Sequence, residues 1–229
     1  MIITIDGPSG TGKTTVARKV AERLRIMLFD TGAMYRAFTW FVLEHHVDLD
    51  DEEAVQRALK KFVFRITEKN GDKRYFVCDH DVSDVIRSRL ITSHVSAVSA
   101  NKEVRAALLQ LQHQFASAQD AVFEGRDLGT VVFPNAEVKI YLTADPLIRA
   151  ERRLNEFLEK KSGEVQGMDR AQMLAEMQRR DTYDSTREIA PLRCPEDAVQ
   201  IDTTHLSIDE VVDQIVKYTV KRYPNRRSL

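Results

Sequence analysis

An α/β fold built on a parallel sheet is what the sequence predicts, and three observations carry that expectation. The chain opens strand, helix, strand, helix. A glycine-rich loop joins the first strand to the first helix. Short apolar runs that read as further strands return at 121–125, 137–142 and 198–202. Short buried strands alternating with helices imply parallel pairing through right-handed crossovers.

The length of 229 residues allows one domain carrying an insert. With 43% apolar and 30% charged residues, the chain is ordinary for a soluble protein, which excludes a disordered or collagen-like one. No apolar run approaches the roughly 20 residues that span a bilayer, so no membrane insertion is expected. The start MIITIDGPSG has neither a basic n-region nor a long apolar h-region, so no secretory leader is expected. Cys78 and Cys194 alone cannot frame a disulfide scaffold, and a cytoplasmic location is the expectation. Lys plus Arg is 34 against 35 for Asp plus Glu, so neither nucleic acid nor an anionic membrane is expected as a partner. Any anion site must be built locally.

Taken in order, residues 2–6 (IITID) read as a buried strand ending in Gly7-Pro8-Ser9-Gly10. Residues 13–25 have helical spacing, with Val16, Ala17, Val20, Ala21 and Leu24 on one face. A second strand at 26–30 and a helix from Ala33 to His45 follow. In the middle, 62–67 and 74–78 flank Lys69-Asn70-Gly71-Asp72, a hairpin signal. The spacing predicts helices over 82–99 and 101–118, then core strands at 121–125 and 137–142. Trp40, Phe38 and Phe41 read as core, and the cations of the hairpin as a solvated face interleaved with acids. Residues 145–160 predict a charged helix, and 161–168, with two glycines, a mobile loop. Asp169 with Gln172 forms a capping box for the next helix, and Ser207 with Glu210 caps the last one over 207–222. A fifth strand is expected at 198–202, and the terminal YPNRRSL is expected to fray.

The chemistry is announced by Gly7-Pro8-Ser9-Gly10-Thr11-Gly12-Lys13-Thr14, which fits G-x-x-x-x-G-K-[ST] between a strand and a helix. Such a loop turns its N–H groups onto a phosphate, helped by the following helix N-terminus. Lys13 supplies a charge to the terminal phosphates, and the Thr14 hydroxyl is a ligand for Mg²⁺. Glu124, at the end of the third core strand, is a second candidate for the metal, through a bound water. No N-K-x-D motif is present, which argues against a switch GTPase; Asn101-Lys102-Glu103-Val104 lacks the Asp.

The arginines point to a second phosphorylated ligand. Arg36 follows the second strand, and Arg126 follows the third. In a parallel sheet those strand ends open on the edge that carries the phosphate loop. Arg149, Arg152 and Arg153 share one helix face by spacing, as do Arg180, Asp184 and Arg187. Phosphoryl transfer needs such cations around the equatorial oxygens, and guanidinium suits phosphate better than ammonium does. The residues alone leave the acceptor open. A non-catalytic nucleotide-sensing module is the rival from another class, though a sensor has no need of an acceptor-side set.

The sequence resembles the bacterial cytidylate (CMP) kinases, a family of P-loop nucleoside monophosphate kinases, over nearly its whole length. The resemblance rests on IDGPSGTGKTT at 5–15, FDTGAMYRA at 29–37, EGRDLGTVVFPNAEVKIYL at 124–142, RRDTYDSTREIAPL at 179–192 and IDTTHLSIDEVV at 201–212. It implies a P-loop NTPase-type five-stranded parallel sheet flanked by helices, with an inserted nucleoside-monophosphate-binding domain and a mobile helical lid. The implied division is a kinase core of 1–35 and 119–229, with the lid at about 149–185, and an insert of 36–118 containing the hairpin. The implied reaction moves the γ-phosphoryl group of ATP to CMP or dCMP, with Mg²⁺, in a monomer. UMP, AMP or dephospho-coenzyme A kinases are the nearer alternatives.

By the same resemblance, Gly7, Pro8, Ser9, Gly10, Thr11, Gly12, Lys13, Thr14, Thr15 and Arg152 bind ATP, and Lys13, Arg153 and Arg180 serve catalysis. Thr14 and Glu124 face the metal. Arg36, Arg126 and Arg187 hold the acceptor phosphate, Arg180 and Asp184 meet the ribose, and Thr31 stands where relatives often have Ser. Ser96, Arg105 and Asp127 read cytosine. That trio makes chemical sense, because cytosine offers an amine donor to the carboxylate and hydroxyl, and acceptors to the guanidinium.

Overall fold

The alternation of IITID settles the first strand. Ile3 and Ile5 are fully buried on one face of the sheet, which sends Thr4 and Asp6 to the other. The computed structural model describes residues 1–69, 72–159 and 169–224. In chain order the elements are β1 (Ile2–Asp6), α1 (Lys13–Leu24), β2 (Met27–Asp30), α2 (Thr31–Glu44), α3 (Glu52–Lys61), β3 (Phe64–Lys69), β4 (Asp72–Val77) and β5 (His80–Asp81). A 3₁₀ turn at Val85–Arg87 leads to α4 (Arg89–Ala100), α5 (Lys102–Ala118) and β6 (Ala121–Glu124). A π-helical turn, Leu128–Val132, precedes β7 (Val138–Thr143), α6 (Pro146–Glu159), α7 (Arg170–Thr186), β8 (Val199–Asp202) and α8 (Ile208–Arg222). The chain divides into two compact units, one of Met1–Asp30 with Gln114–Leu229 and one of Thr31–His113.

The first unit holds a five-stranded sheet in the order β2-β6-β1-β7-β8. All four pairings are parallel, with Ile5 opposite both Glu124 and Ile140. This is the flanked parallel sheet that the sequence predicts. One face packs Ile3, Ile5, Val122, Ile140 and Leu142 against Val16 and Val20 of α1 and Val212 and Ile215 of α8. Burying such side chains is worth roughly 1.5–3 kcal/mol each, which is what holds the two helices to the sheet. On the other face, the Phe123 ring lies 4.9 Å from Phe29 and 4.5 Å from Phe133. Both expected capping boxes are present, Asp169 with Gln172 and Ser207 with Glu210.

The second unit has an antiparallel sheet in the order β3-β4-β5. Phe64 pairs with Val77 and Lys69 with Asp72, so the strands form the expected hairpin ladder; its turn residues, 70 and 71, lie outside the described residues. Phe38 and Phe41 are core, and Phe38 meets Phe62 edge-on at 5.0 Å. One expectation fails here. The helix predicted from residue 82 begins only at Arg89, because Ser88 caps it by accepting from the amide of Ile91. Before it, the Asp81 carboxylate accepts from both the amide and the hydroxyl of Ser83, which folds the chain into a turn after the short strand β5. The loop predicted at 161–168 and the last five residues of the fraying tail also lie outside the described residues.

Candidate active site

The site grows from the carboxyl end of β1. Gly7 has φ +144°, and a Cβ there would lie 2.2 Å from the carbonyl oxygen of Leu142, so only glycine lets the loop leave the sheet in this direction. The Lys13 ammonium folds over the loop and donates to the carbonyl of Pro8 at 2.6 Å, and the Thr11 hydroxyl donates to the same oxygen at 3.1 Å. Lys13 is almost fully buried. Burial first, and then the positive charge of Arg126, hold its ammonium well below the usual lysine range; Glu124 and Asp181 act the other way.

Beside it, the Thr14 hydroxyl donates to Oε1 of Glu124 at 2.7 Å. Burial, reinforced by the negative charge of Asp30, holds the Glu124 carboxyl well above the usual carboxylate range. A hydroxyl and a carboxylate in contact at a phosphate loop are hard oxygen donors of the kind that suit Mg²⁺. Arg126 follows β6, and its Nε donates to Oδ2 of Asp184 at 3.4 Å. Nε of Arg180 lies 3.9 Å from the same oxygen. Burial and then Arg126 push the Arg180 guanidinium down to about 10. The positive charge of Arg126 thus bears on both the buried Lys13 and the half-buried Arg180, with Glu124, Asp181 and Asp184 acting the other way.

Asp127 is buried, and its Oδ1 accepts from Arg187 at 3.2 Å, while Nε of Arg187 donates to the carbonyl of Ala190 at 2.7 Å. The two expected helix arginines part company. Arg152 donates to the hydroxyl and carbonyl of Thr203 and the carbonyl of Thr204, so it braces the turn after β8. Arg153 donates to Glu156 at 2.7 Å with its guanidinium over the Phe157 ring. Arg149, whose helix face the spacing identified, donates to the carbonyl of Ser9 at 2.9 Å and to Asp181.

In the second unit, Thr31 is buried at the first residue of α2. Arg36 donates to the hydroxyl of Thr92 at 2.7 Å and the carbonyl of Ile86 at 3.3 Å. Arg105 is buried, donates to the carbonyl of Ser99 at 3.0 Å, and has its guanidinium 5.7 Å from the centre of the Tyr35 ring. Ser96 is half-buried on α4, and its carbonyl accepts from the hydroxyl of Ser99.

Three residues escaped the reading of the sequence. Asp181 accepts from the amide of Ser9 and from Arg149, so it touches the phosphate loop directly. The Thr203 hydroxyl donates to the carbonyls of Thr11 and Thr143. Asp6 accepts from the amides of Leu128 and Gly129. Only Asp6 left a signal, an acidic residue at the end of the buried strand IITID, on the same face as Thr4.

A phosphate loop at the end of a central parallel strand, with buried cations gathered around it, defines a P-loop phosphotransferase. A solved structure of an uncharacterized protein from Eubacterium ventriosum shares the fold, with a TM-score of 0.52 at 16% identity, covering 96% of this chain and 98% of that one. The chain belongs to the cytidylate kinase family, whose model matches residues 3–221. The cytidylate kinase of Protochlamydia amoebophila is 50% identical over 95% of this chain and 96% of its own. Those of Halalkalibacterium halodurans and Fusobacterium nucleatum are 43% and 42% identical, each covering at least 95% of both chains. ATP is the phosphoryl donor of this family, and no helix among the described residues is long and apolar enough to cross a membrane.

Proposed function

We propose that the protein transfers the γ-phosphoryl group of ATP to CMP or dCMP, giving ADP and CDP or dCDP by direct in-line displacement. The observation that carries this reading is the gathering of Lys13 and Arg180 around Arg126, where burial first and then the charge of Arg126 hold the Lys13 and Arg180 cations below their usual ranges. Such a pocket is preorganised for oxygens that gain charge in the transition state, and it needs no reorganisation at the moment of transfer.

The roles follow from chemistry. An oxygen of the acceptor's own phosphate attacks the γ-phosphorus as the bond to the β–γ bridging oxygen breaks, and the electron pair leaves on ADP. That oxygen is already anionic, so no strong base is required. Residues 7–15, with Arg152, bind ATP. Lys13, Arg153 and Arg180 carry charge to the transferring group. Thr14 and Glu124 are the side chains that would hold Mg²⁺, which when bound neutralises charge on the β- and γ-phosphate oxygens.

Acceptor recognition is assigned residue by residue. Arg36, Arg126 and Arg187 take the acceptor phosphate, Arg180 and Asp184 the ribose, and Thr31 contributes a hydroxyl. Asp127 and Ser96 receive the cytosine amine, and Arg105 serves its acceptor atoms. Uracil presents a carbonyl in place of the amine, so Asp127 would meet an acceptor with an acceptor. A buried mismatch of that kind can cost a factor on the order of thousands.

The stereochemical course tests the transfer step. ATP made chiral at the γ-phosphorus with oxygen isotopes and sulfur should yield product with inverted configuration. Retention would indicate two displacements through a phosphorylated side chain and would overturn direct transfer.

A further inference from the structure

The turn that carries Arg126 and Asp127 is capped from the other side of the sequence. Residues Leu128–Val132 form one π-helical turn with Asp127 at its N-cap position. The carbonyl of Asp127 accepts from the amides of Val131 and Val132. The first amides of any helical turn have no partner within it. An Asp at the N-cap ordinarily bends back to accept from them. Asp127 makes no such bond. Its carboxylate faces Arg187 instead, at 3.2 Å.

Asp6 takes over that duty. It is the last residue of β1, opposite Tyr141 of β7, and it is 1% exposed. Its Oδ1 accepts from the amide of Leu128 at 3.0 Å and its Oδ2 from the amide of Gly129 at 2.8 Å. The turn is pressed onto the sheet to make this possible. A Cβ at Gly129 would lie 2.8 Å from Cγ of Pro195 and 3.1 Å from Oγ1 of Thr4, the neighbour of Asp6 on the same sheet face. Glycine allows the backbone to lie that close. Both oxygens of one carboxylate are needed, because an amide side chain would turn its NH₂ toward a donor.

We infer that Asp6 is a positioning residue for acceptor specificity: by capping the Leu128–Val132 turn from β1, it lets the Asp127 carboxylate stay turned to Arg187, away from its own turn, in the orientation that reads the acceptor base. This rests on the reading of Asp127 proposed above. It makes Asp6 part of the discrimination between cytosine and uracil without touching either.

The test is Asp6→Asn, assayed with Mg·ATP against CMP and UMP. Asparagine is nearly isosteric but leaves one of the two amides facing a donor. Asp127, at the N-cap position, can then turn its own carboxylate onto the turn. The expected result is a KM for CMP raised about tenfold, the worth of one lost buried hydrogen bond, with the CMP-to-UMP ratio of kcat/KM falling and the KM for ATP within about twofold. In an Asp127→Asn background, Asp6→Asn should change that ratio little, since the two residues act through one carboxylate. An unchanged KM for CMP and an unchanged ratio in Asp6→Asn would overturn the inference. So would full additivity of the two substitutions. Equal turnover of CMP and UMP by the unaltered protein would overturn the reading of Asp127 itself, which separates the two failures. If Asp6→Asn does not fold, hydrogen exchange on the unaltered protein decides: the amides of Leu128 and Gly129 should be protected, and fast exchange of both would contradict the cap.

Discussion

The hydroxyl of Thr14, in the first turn of α1, donates to Oε1 of Glu124 at the end of β6 across 2.7 Å. This contact joins the residue after the phosphate-loop lysine to a carboxylate that burial and Asp30 keep well above its usual range. A divalent cation favours the ionised form of that carboxylate, so metal affinity and Glu124 ionisation are coupled. Glu124→Gln keeps an oxygen for Thr14 but removes the charge. The Mg²⁺ concentration for half-maximal activity should rise about tenfold or more, with thermal stability unchanged or raised. A Mg²⁺ titration identical to that of the unaltered protein would remove Glu124 from the metal site.

Lys13 separates catalysis from stability. Its ammonium is buried among Arg126 and Arg180, where its charge is costly. Lys13→Met should lower kcat by about three orders of magnitude, in line with losing a principal transition-state contact. The melting temperature should not fall, because the substitution removes a desolvated charge. Single-turnover kinetics and a thermal melt on one preparation check both halves.

Arg149 and Asp181 brace the loop from outside. Arg149 donates to the carbonyl of Ser9, and Asp181 accepts from its amide. Arg149→Met leaves Asp181 without its salt-bridge partner, and breaking this partly buried pair should lower the melting temperature. A misplaced loop should raise the KM for ATP several-fold and leave the KM for CMP nearly unchanged. Calorimetry and initial rates read the two effects. An unchanged melting point would show that the pair contributes nothing to the fold.

Asp6 predicts a pH dependence of stability. Burial, opposed by the amides of Gly129 and Leu128, raises its carboxyl to about 6 from 3.8; Asp127 adds to the rise and Lys13 opposes it, while Tyr141 and Cys194 lie alongside. The folded state therefore holds this proton more tightly than the unfolded state does. The associated stability is fully present below about pH 4 and is lost as pH rises through about 6, a change of about 3 kcal/mol for a shift of about two pH units. Asp6→Asn should abolish that component, so the stability difference between the two proteins should drift across this window. Parallel curves from pH 4 to 7 would contradict the shift.

Much of this was legible in the chain. Parallel strands buried on both faces are short apolar runs, and IITID, AVFEG and EVKIYL announced themselves between helices of clear period. The phosphate loop and both capping boxes are local patterns, so no tertiary information was needed to find them. What escaped depends on partners distant in sequence. The π-helical turn at Leu128–Val132 is capped by Asp6 from more than a hundred residues away. β5 and the late start of α4 depend on the Asp81 and Ser88 side chains capturing nearby backbone, a competition that hydrophobic period cannot register. Arg152 shared a helix face with Arg149 and Arg153, yet its guanidinium binds the carbonyls of Thr203 and Thr204; spacing gives the face, not the partner.

Acceptor choice is the decisive property, because the phosphate loop alone is common to many kinases. The direct measurement is ADP release from Mg·ATP with CMP, dCMP, UMP, AMP and GMP run in parallel on the unaltered protein. Turnover confined largely to CMP and dCMP is the predicted result. Turnover centred on UMP, AMP or GMP would leave a kinase but contradict the assignment of Ser96, Arg105 and Asp127 to cytosine, and ATP binding with no acceptor-dependent ADP would contradict the kinase itself.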